Sequence, residues 1–309
     1  MLIERGLDVN GQFFDKELPD THMTLLTTAV LSEDLATIRF LLDAGADIDQ
    51  RNGSGKTPLC CATVFQNLLV IETLLASGAD PNVVCGSGTA LMIAAGQGRA
   101  DIIEHLLANG ADASLRADNG RNAMHSAAYG HLSLDLMNRF IELGANPAAV
   151  SNSGETALHC ALYSATAPDE PDLELIVAFL IANGTPVNQA DTRGLTALHW
   201  AAERSAEVVR MLFEAGADPH AVDDDGWSAL HHAAKYGSAE SVRLLLEAGV
   251  DPTPTVSDPN IGTGLNVVDL AHGGLGRMVP HPKDSQTKIR LLEEALAAAE
   301  EKDADGENR

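Results

Sequence analysis

The sequence predicts an all-α solenoid of stacked helix-turn-helix units, and three observations lead to this prediction. Similar segments return at a nearly constant spacing along the 309 residues. Each copy carries apolar residues at helical spacing and then a glycine. The composition, 45% hydrophobic but only 4% aromatic, suits closely packed small helices better than a β-sandwich. Repetition at a fixed period outweighs the two ordinary domains that the length alone would suggest.

The repeats open with short segments such as T-A-L-H. Their first residues stand at positions 24, 57, 89, 122, 156, 196, 228 and 266, so successive copies are 32 to 40 residues apart. A Thr or Ser in this position can pair with unbonded N–H groups of a helix start, and Pro58 has a φ suited to the first turn. Paired alanines such as Ala94 and Ala95 allow close helix packing, while leucines such as Leu198 fill the interior. We therefore predict a first helix in each copy.

A second apolar helix closes each repeat. Val208, Val209 and Leu212 show its helical spacing, and Gly216 supplies the left-handed conformation that ends it. One helix pair cannot bury both of its apolar faces, so the units must stack to form a continuous core.

These openings, together with closing segments such as GADPN and GADPH, resemble the motifs of the ankyrin repeat from Leu2 to about Glu301. The resemblance implies an ankyrin-repeat solenoid whose helix pairs are joined by β-hairpin loops. We expect a single array over residues 1–302. Leu2 to Asn10 looks like the closing half of a repeat, which is either a degenerate cap or part of a longer array.

Three segments depart from the pattern. We expect an inserted polar loop at 164–172, where two prolines exclude helix, and irregular stretches at 252–264 and 273–283. The second helix of the last repeat is predicted from about Ser285 to Lys302, followed by an acidic disordered tail at 303–309.

The net charge of −24 excludes some partners and favours others. It repels nucleic-acid phosphates and anionic lipid surfaces, whereas a protein partner with a basic or mixed-charge surface would be attracted. The longest apolar run, Leu175 to Ala182, is too short to span a bilayer. We expect a monomer that binds neither nucleic acid nor membrane.

The four cysteines, Cys60, Cys61, Cys85 and Cys160, show no zinc or redox spacing, so we interpret them as free thiols in a reducing compartment. Glu4 and Asp8 interrupt the apolar core that a signal peptide would need. A cytoplasmic location is predicted, with the nucleus as an open alternative.

Two motifs hint at chemistry that the repeat explains better. Gly53 to Thr57 ends like a phosphate-binding loop, but Gln50 stands where that motif requires glycine. His125, His159, His199 and His231 fall on one repeat position, where the resemblance implies bonding within the hairpin and to the opening Thr or Ser. His232 could line the groove, but the sequence shows no recurring acidic or thiol partner for it. We therefore expect no enzyme activity, cofactor or metal.

The resemblance also implies that hairpin tips and the outward face of the first helices form a concave surface that binds partners. The hairpin positions are Arg51, Lys56, Arg116, Arg121, Arg193, Asp224, Asp225 and Trp227. The late positions of the first helices are Phe65, Tyr129, Tyr163, Lys235 and Tyr236.

The aromatic members are the strongest candidates, because aromatic side chains bring large contact area with few torsions. Trp227 is expected on a hairpin tip, so that its replacement together with Tyr236 would remove binding and spare stability. Tyr129 and Tyr163 have an alternative, which is to pack between neighbouring first helices. Trp200 is expected to face the stack.

The sequence leaves three functions open. The leading hypothesis is a protein-interaction module that acts as an adaptor or scaffold. The alternative is a recognition or regulatory fragment of a larger ankyrin-containing enzyme. A third is a stand-alone enzyme that uses His281 and Lys283 of the 273–283 stretch together with the adjoining Asp284.

Overall fold

A computed structural model of the chain describes residues 8–14, 22–86, 88–164, 172–274 and 282–306. The chain divides into two compact units, residues 1–152 and 153–309, which we describe separately. A single array over residues 1–302 remains a prediction. Of the predicted irregular segments, 165–171 and 275–281 lie outside the described residues, as do residues 1–7 of the N-terminal half repeat.

The first unit contains a short antiparallel sheet followed by helix pairs. Its elements are β1 (Gln12–Phe14), β2 (His22–Thr24), α1 (Leu25–Leu31), α2 (Leu35–Asp43), α3 (Pro58–Val64), α4 (Leu68–Ala76), α5 (Ala90–Gly96), α6 (Ala100–Ala108), α7 (Ala123–Tyr129) and α8 (Leu134–Glu142).

The second unit continues the alternation of short helices and adds one strand pair. Its elements are α9 (Ala157–Ser164), α10 (Leu173–Ala182), α11 (Ala197–Arg204), α12 (Ala206–Glu214), α13 (Ala229–Tyr236), α14 (Ala239–Glu247), β3 (Val256–Asp258), β4 (Gly262–Leu265), α15 (Val267–Gly274) and α16 (Pro282–Gly306).

The predicted helix-turn-helix units are confirmed, because a helix begins directly after every predicted opening residue. The Oγ1 atom of Thr57, for example, accepts the backbone N–H of Cys60 at 3.2 Å. At the other end of a repeat, Gly216 has a φ of 85°, the left-handed conformation that ends α12. First helices pack on first helices within each unit, and Ala94 and Ala95 are completely buried at such a contact.

Buried histidines join three first helices, α9, α11 and α13, to the segment that opens the following repeat. In the second unit, each ring faces its own opening residue through Nδ1 and a backbone carbonyl of the next repeat through Nε2. Nδ1 accepts a backbone N–H in three pairs, namely Thr156 to His159 (3.1 Å), Thr196 to His199 (3.0 Å) and Ser228 to His231 (3.1 Å). The Nε2 contacts are with the oxygens of Leu195 (3.0 Å), Trp227 (3.2 Å) and Pro254 (3.1 Å). Because Nδ1 accepts an N–H, the ring hydrogen lies on Nε2 and is donated across the repeat boundary.

The C-terminal end of the second unit differs from the prediction in two places. Residues 252–264, expected to be irregular, contain β3 and the beginning of β4, which pair antiparallel. α16 begins at Pro282 and continues to Gly306, so residues 303–306 are helical rather than disordered. Of the described helices, none is both long enough and apolar enough to cross a bilayer.

A buried ion pair fastens the β3–β4 pair to α13. The Nζ atom of Lys235 donates to Oδ2 of Asp258, and these two side chains are only 9% and 2% exposed. The other carboxylate oxygen, Oδ1, accepts the backbone N–H groups of Asn260 (2.8 Å) and Ile261 (3.1 Å). Lys235 therefore has a structural partner inside the chain.

We predict that acidification destabilises the protein through its buried histidines. Burial lowers the pKa of His199 from 6.5 to about 4, and it also lowers those of His159 and His231. The unfolded chain takes up these protons first, so the free energy of unfolding should fall as the pH drops from about 6.5 towards 4, by roughly 3 kcal/mol for His199 alone. Urea unfolding at several pH values measures the slope. The control His199→Gln should have a shallower slope; an equal slope would contradict the prediction.

A second prediction concerns the buried ion pair. Lys235→Met leaves the Asp258 carboxylate without its cation, which should lower the free energy of unfolding by about 3 to 5 kcal/mol. Adding Asp258→Asn removes the stranded charge and keeps an oxygen for the two backbone N–H groups, so the double variant should regain most of the loss. Urea unfolding compares the two variants. A double variant no more stable than Lys235→Met would count against the pairing.

Candidate functional site

The candidate site lies on the second unit, on two hairpin tips, on the first helices α11 and α13 that follow them, and at the end of α9. Each tip is organised by an aspartate. The Oδ1 atom of Asp191 accepts the N–H groups of Arg193 (2.8 Å) and Leu195 (3.0 Å), and that of Asp223 accepts those of Asp225 (3.0 Å) and Trp227 (2.8 Å). These bonds hold the tips in one conformation.

The two tips are also bonded to each other. The N–H of Asp224 donates to the carbonyl of Arg193 at 2.9 Å. Each tip needs a glycine in the left-handed region, Gly194 with φ 78° and Gly226 with φ 79°. The two tips are therefore linked by a backbone hydrogen bond as well as through the helices that carry them.

Three side chains form what we call the aromatic cluster, namely Tyr163, Arg193 and Trp200. The ring of Tyr163 meets that of Trp200 edge-on, with centroids 5.4 Å apart, and the Arg193 guanidinium lies 5.6 Å from the centre of the Trp200 ring. Asp191 fixes Arg193 through contacts to Nε (3.2 Å) and Nη2 (2.9 Å). Tyr163 is nevertheless 59% exposed, so it packs on the neighbouring first helix and also faces solvent. Trp200 is half-buried, which places it partly at the surface.

Trp227 does not occupy the exposed position that the sequence indicated. It is only 7% exposed, and its Nε1–H donates to the carbonyl of Ser257 in β3 at 3.2 Å. The prediction of an exposed Trp227 is therefore wrong, because β3, which lies in a segment expected to be irregular, accepts the hydrogen bond of its indole N–H. Removing the ring would leave a cavity, so Trp227→Ala should lower stability rather than spare it.

Lys235 and Tyr236 have different surroundings although they are adjacent. The Nζ atom of Lys235 lies 4.6 Å from the Tyr236 ring and 5.3 Å from the Trp227 ring, in addition to its pairing with Asp258. The Lys235 side chain is thus buried and already bonded, contrary to its expected place on the groove. Tyr236 is 46% exposed and remains a candidate for binding.

His232 has the acidic partners that the sequence did not reveal. Its Nδ1 lies 2.7 Å from Oε1 of Glu203, and its Nε2 lies 3.4 Å from Oδ2 of Asp223. Burial acts to lower the pKa of His232, but the hydrogen bonds and charges of Asp223 and Glu203 outweigh it and hold that pKa above its usual 6.5. The partners stand 9 and 29 residues away in the sequence, so no short motif marks them.

The remaining candidates fall into two groups. Asp224 and Asp225 are exposed on the second hairpin tip. In the first unit, Phe65 is 64% and Tyr129 46% exposed, Arg51 and Arg116 are exposed, and Lys56 and Arg121 are half-buried. Arg116 supports the hairpins, because its guanidinium donates to the carbonyls of Gly120 (3.0 Å) and Val150 (2.6 Å).

The residues whose side chains could take part in chemistry have the following places in the described part of the chain. Cys60, Cys61 and Cys85 are buried free thiols. Asp284 accepts the N–H of Ala239 at 3.3 Å, which supports the start of α14, while His281 lies outside the described residues. Within the described ranges, no group of three or more His, Cys, Asp or Glu is arranged to hold a metal ion.

Known proteins share these repeats over parts of the chain. An intracellular phospholipase A2 of Caenorhabditis elegans is 33% identical over 195 residues, which is 60% of this chain and 18% of the relative. An L-asparaginase of Dirofilaria immitis is 32% identical over 180 residues, 57% and 29% of the two chains. The palmitoyltransferase Hip14 of Drosophila melanogaster is 37% identical over 152 residues, 48% and 23%. The chain thus spans less than a third of the length of each of these relatives.

A family model described as ankyrin repeats (3 copies) matches residues 2–85, 91–170 and 167–256. These matches cover most of the helix pairs described above. The chain therefore belongs to the ankyrin-repeat family.

Proposed function

We propose that this chain is a protein-binding module without chemistry of its own, which serves as an adaptor or scaffold. Its binding surface on the second unit consists of the aromatic cluster together with Tyr236, Asp224 and Asp225. We call this set the binding surface. Three of the predicted residues are left out of this set because they support the fold. Trp227 and Lys235 do so next to the binding surface, and Arg116 does so at hairpins of the first unit.

The aromatic cluster is the observation that carries this proposal. Large aromatic side chains with bonded Arg neighbours are typical of the residues that contribute most to protein interfaces. Tyr163 is exposed, yet its edge contact with Trp200 and the fixed Arg193 limit its conformations before any partner arrives. The aromatic cluster would therefore lose little side-chain entropy when a partner binds to it.

The charge of the chain supports a basic or mixed-charge partner. The net charge is −24, and Asp224 and Asp225 present exposed carboxylates beside the aromatic cluster. Such a field speeds the approach of a positively charged protein surface more than it strengthens the final complex. We propose that the chain acts as a monomer in the cytoplasm or nucleus, where buried thiols such as Cys60 stay reduced.

The second candidate function is recognition or regulation within a larger ankyrin-containing enzyme. The names of three relatives favour it, because a phospholipase, an asparaginase and a palmitoyltransferase each share this region over 18 to 29% of their length. In that setting, the repeats would position an enzyme or its substrate. Sequencing of the full-length transcript decides between the candidates, since only the second requires a catalytic domain in the same reading frame.

We predict that removing exposed side chains from the binding surface weakens partner binding without unfolding the protein. The variant Tyr163→Ala/Tyr236→Ala removes two side chains that are 59% and 46% exposed. The measurement is affinity purification from native lysate with mass spectrometry, followed by titration calorimetry with the purified partner. We expect at least a roughly tenfold rise in Kd, since truncation of interface anchors commonly costs more than about 1.4 kcal/mol.

The matched control is Leu175→Ala, which removes a side chain that is 54% exposed on α10, a second helix. It should bind like the unchanged chain, and all three proteins should unfold at similar temperatures. Equal affinity of the tyrosine variant and the control would place the partner elsewhere.

A further inference from the structure

His232 stands where three parts of the second unit meet. The residue itself belongs to α13, Glu203 belongs to α11, and Asp223 begins the hairpin tip that carries Asp224 and Asp225. The three side chains are only 13%, 18% and 11% exposed. This grouping, which we call the histidine latch, lies directly beneath the second tip of the binding surface.

The geometry of the latch favours a doubly protonated ring. Each nitrogen of His232 faces a carboxylate oxygen, and a carboxylate can only accept hydrogen bonds. A neutral imidazole has one N–H, so its other nitrogen would direct a lone pair at either Glu203 or Asp223. Asp223 cannot turn away at low cost, because its Oδ1 is bonded to the N–H groups of Asp225 and Trp227.

The neighbouring histidines cannot take over the charge. The His199 ring lies 5.4 Å from that of His232, measured between centroids. Its Nδ1 accepts the N–H of Thr196, and its Nε2–H donates to the carbonyl of Trp227. His231 is bonded in the same way, and burial lowers the pKa values of both rings. With His199 and His231 neutral, His232 is the cation between the two carboxylates.

Several charged groups on α13 and on the elements packed against it have partners of their own. Asp269 of α15 accepts the N–H of Asn266 at 3.0 Å, and Glu240 of α14 pairs with Arg243. Lys288 of α16 donates to the carbonyl of Gly237 at 3.0 Å, and Lys235 pairs with Asp258.

We infer that His232 is a proton-operated latch, whose deprotonation loosens the second hairpin tip from α11 and thereby weakens partner binding at the surface proposed above. Without the ring's positive charge, Glu203 and Asp223 repel each other across a neutral imidazole. The bond from Asp224 to Arg193 then passes the displacement to the first tip and the aromatic cluster. The effect on binding rests on the proposed function, whereas the latch itself does not.

The direction of the pH effect follows from the raised pKa of His232. A group with a higher pKa in the folded protein stabilises the fold fully below its unfolded value, about 6.5, and this contribution is lost as the pH rises through the folded value. The latch is therefore closed in mildly acid solution and opens on alkalinisation. His159, His199 and His231 have the opposite effect, because their lowered pKa values make the fold less stable as the pH falls.

The first experiment follows the histidine Cε1–H resonances of the full chain by NMR between about pH 5 and pH 9. One resonance, absent in His232→Gln, should titrate with a midpoint above 6.5. Glu203→Gln should move that midpoint down by about one unit, because one carboxylate is lost. His220→Gln, which alters an exposed histidine, is the matched control and should leave it unchanged. A midpoint at or below 6.5 would overturn the latch.

Two further readouts separate the latch from its proposed role. In the Trp200→Phe background, fluorescence emission reports on Trp227, whose ring lies 5.3 Å from that of His232. This emission should change with the same midpoint.

The second readout is the affinity for a captured partner. If that partner binds several-fold more weakly above the midpoint, and this dependence is absent in His232→Gln, the regulation is supported. A titrating latch with binding independent of pH would overturn the regulation and leave the binding function intact. Failure to capture any partner would refute the proposed function, while the NMR result would still decide the latch.

Discussion

The second unit depends on one hydrogen bond that recurs from repeat to repeat, the bond from a buried histidine Nε2–H to a backbone carbonyl of the following hairpin. The same ring accepts the N–H at the start of its own helix, so a single neutral imidazole defines both a helix start and the place of the next loop. Protonation would put a donor opposite that helix N–H. For this reason burial and bonding together keep these rings uncharged.

Adjacent histidines on α13 show how strongly position determines protonation. His231 faces a backbone N–H and a backbone carbonyl, an environment that needs one ring hydrogen. His232, one residue later, faces two carboxylates and needs two. The backbone contacts of His231 hold neighbouring repeats together. Within the described residues, His232 has no such contacts to keep, so its ring can respond to pH. Helix α13 thus carries a neutral histidine that joins the repeats, His231, next to a charged histidine in the latch, His232.

The sequence predicted the fold well because the repeat is a local pattern used many times. The T-A-L-H openings and the closing glycines each specify a helix boundary, and stacking follows from the apolar faces. The site was predicted less well, since it depends on contacts between repeats. Trp227 was misplaced because nothing in residues 252–264 resembles a repeat, yet Ser257 of β3 accepts the hydrogen bond of its indole N–H. The partners of His232 become visible only when neighbouring repeats are aligned in space.

Amide hydrogen exchange of the chain, alone and in complex with a captured partner, tests most directly whether the hairpin tips and first helices of the second unit form the binding surface. Protection should appear in segments 191–204 and 222–236, which carry both tips together with α11 and α13. The second helices of the same repeats, 206–214 and 239–247, should exchange as they do without partner. Protection concentrated on those second helices, or none in the second unit, would contradict the account.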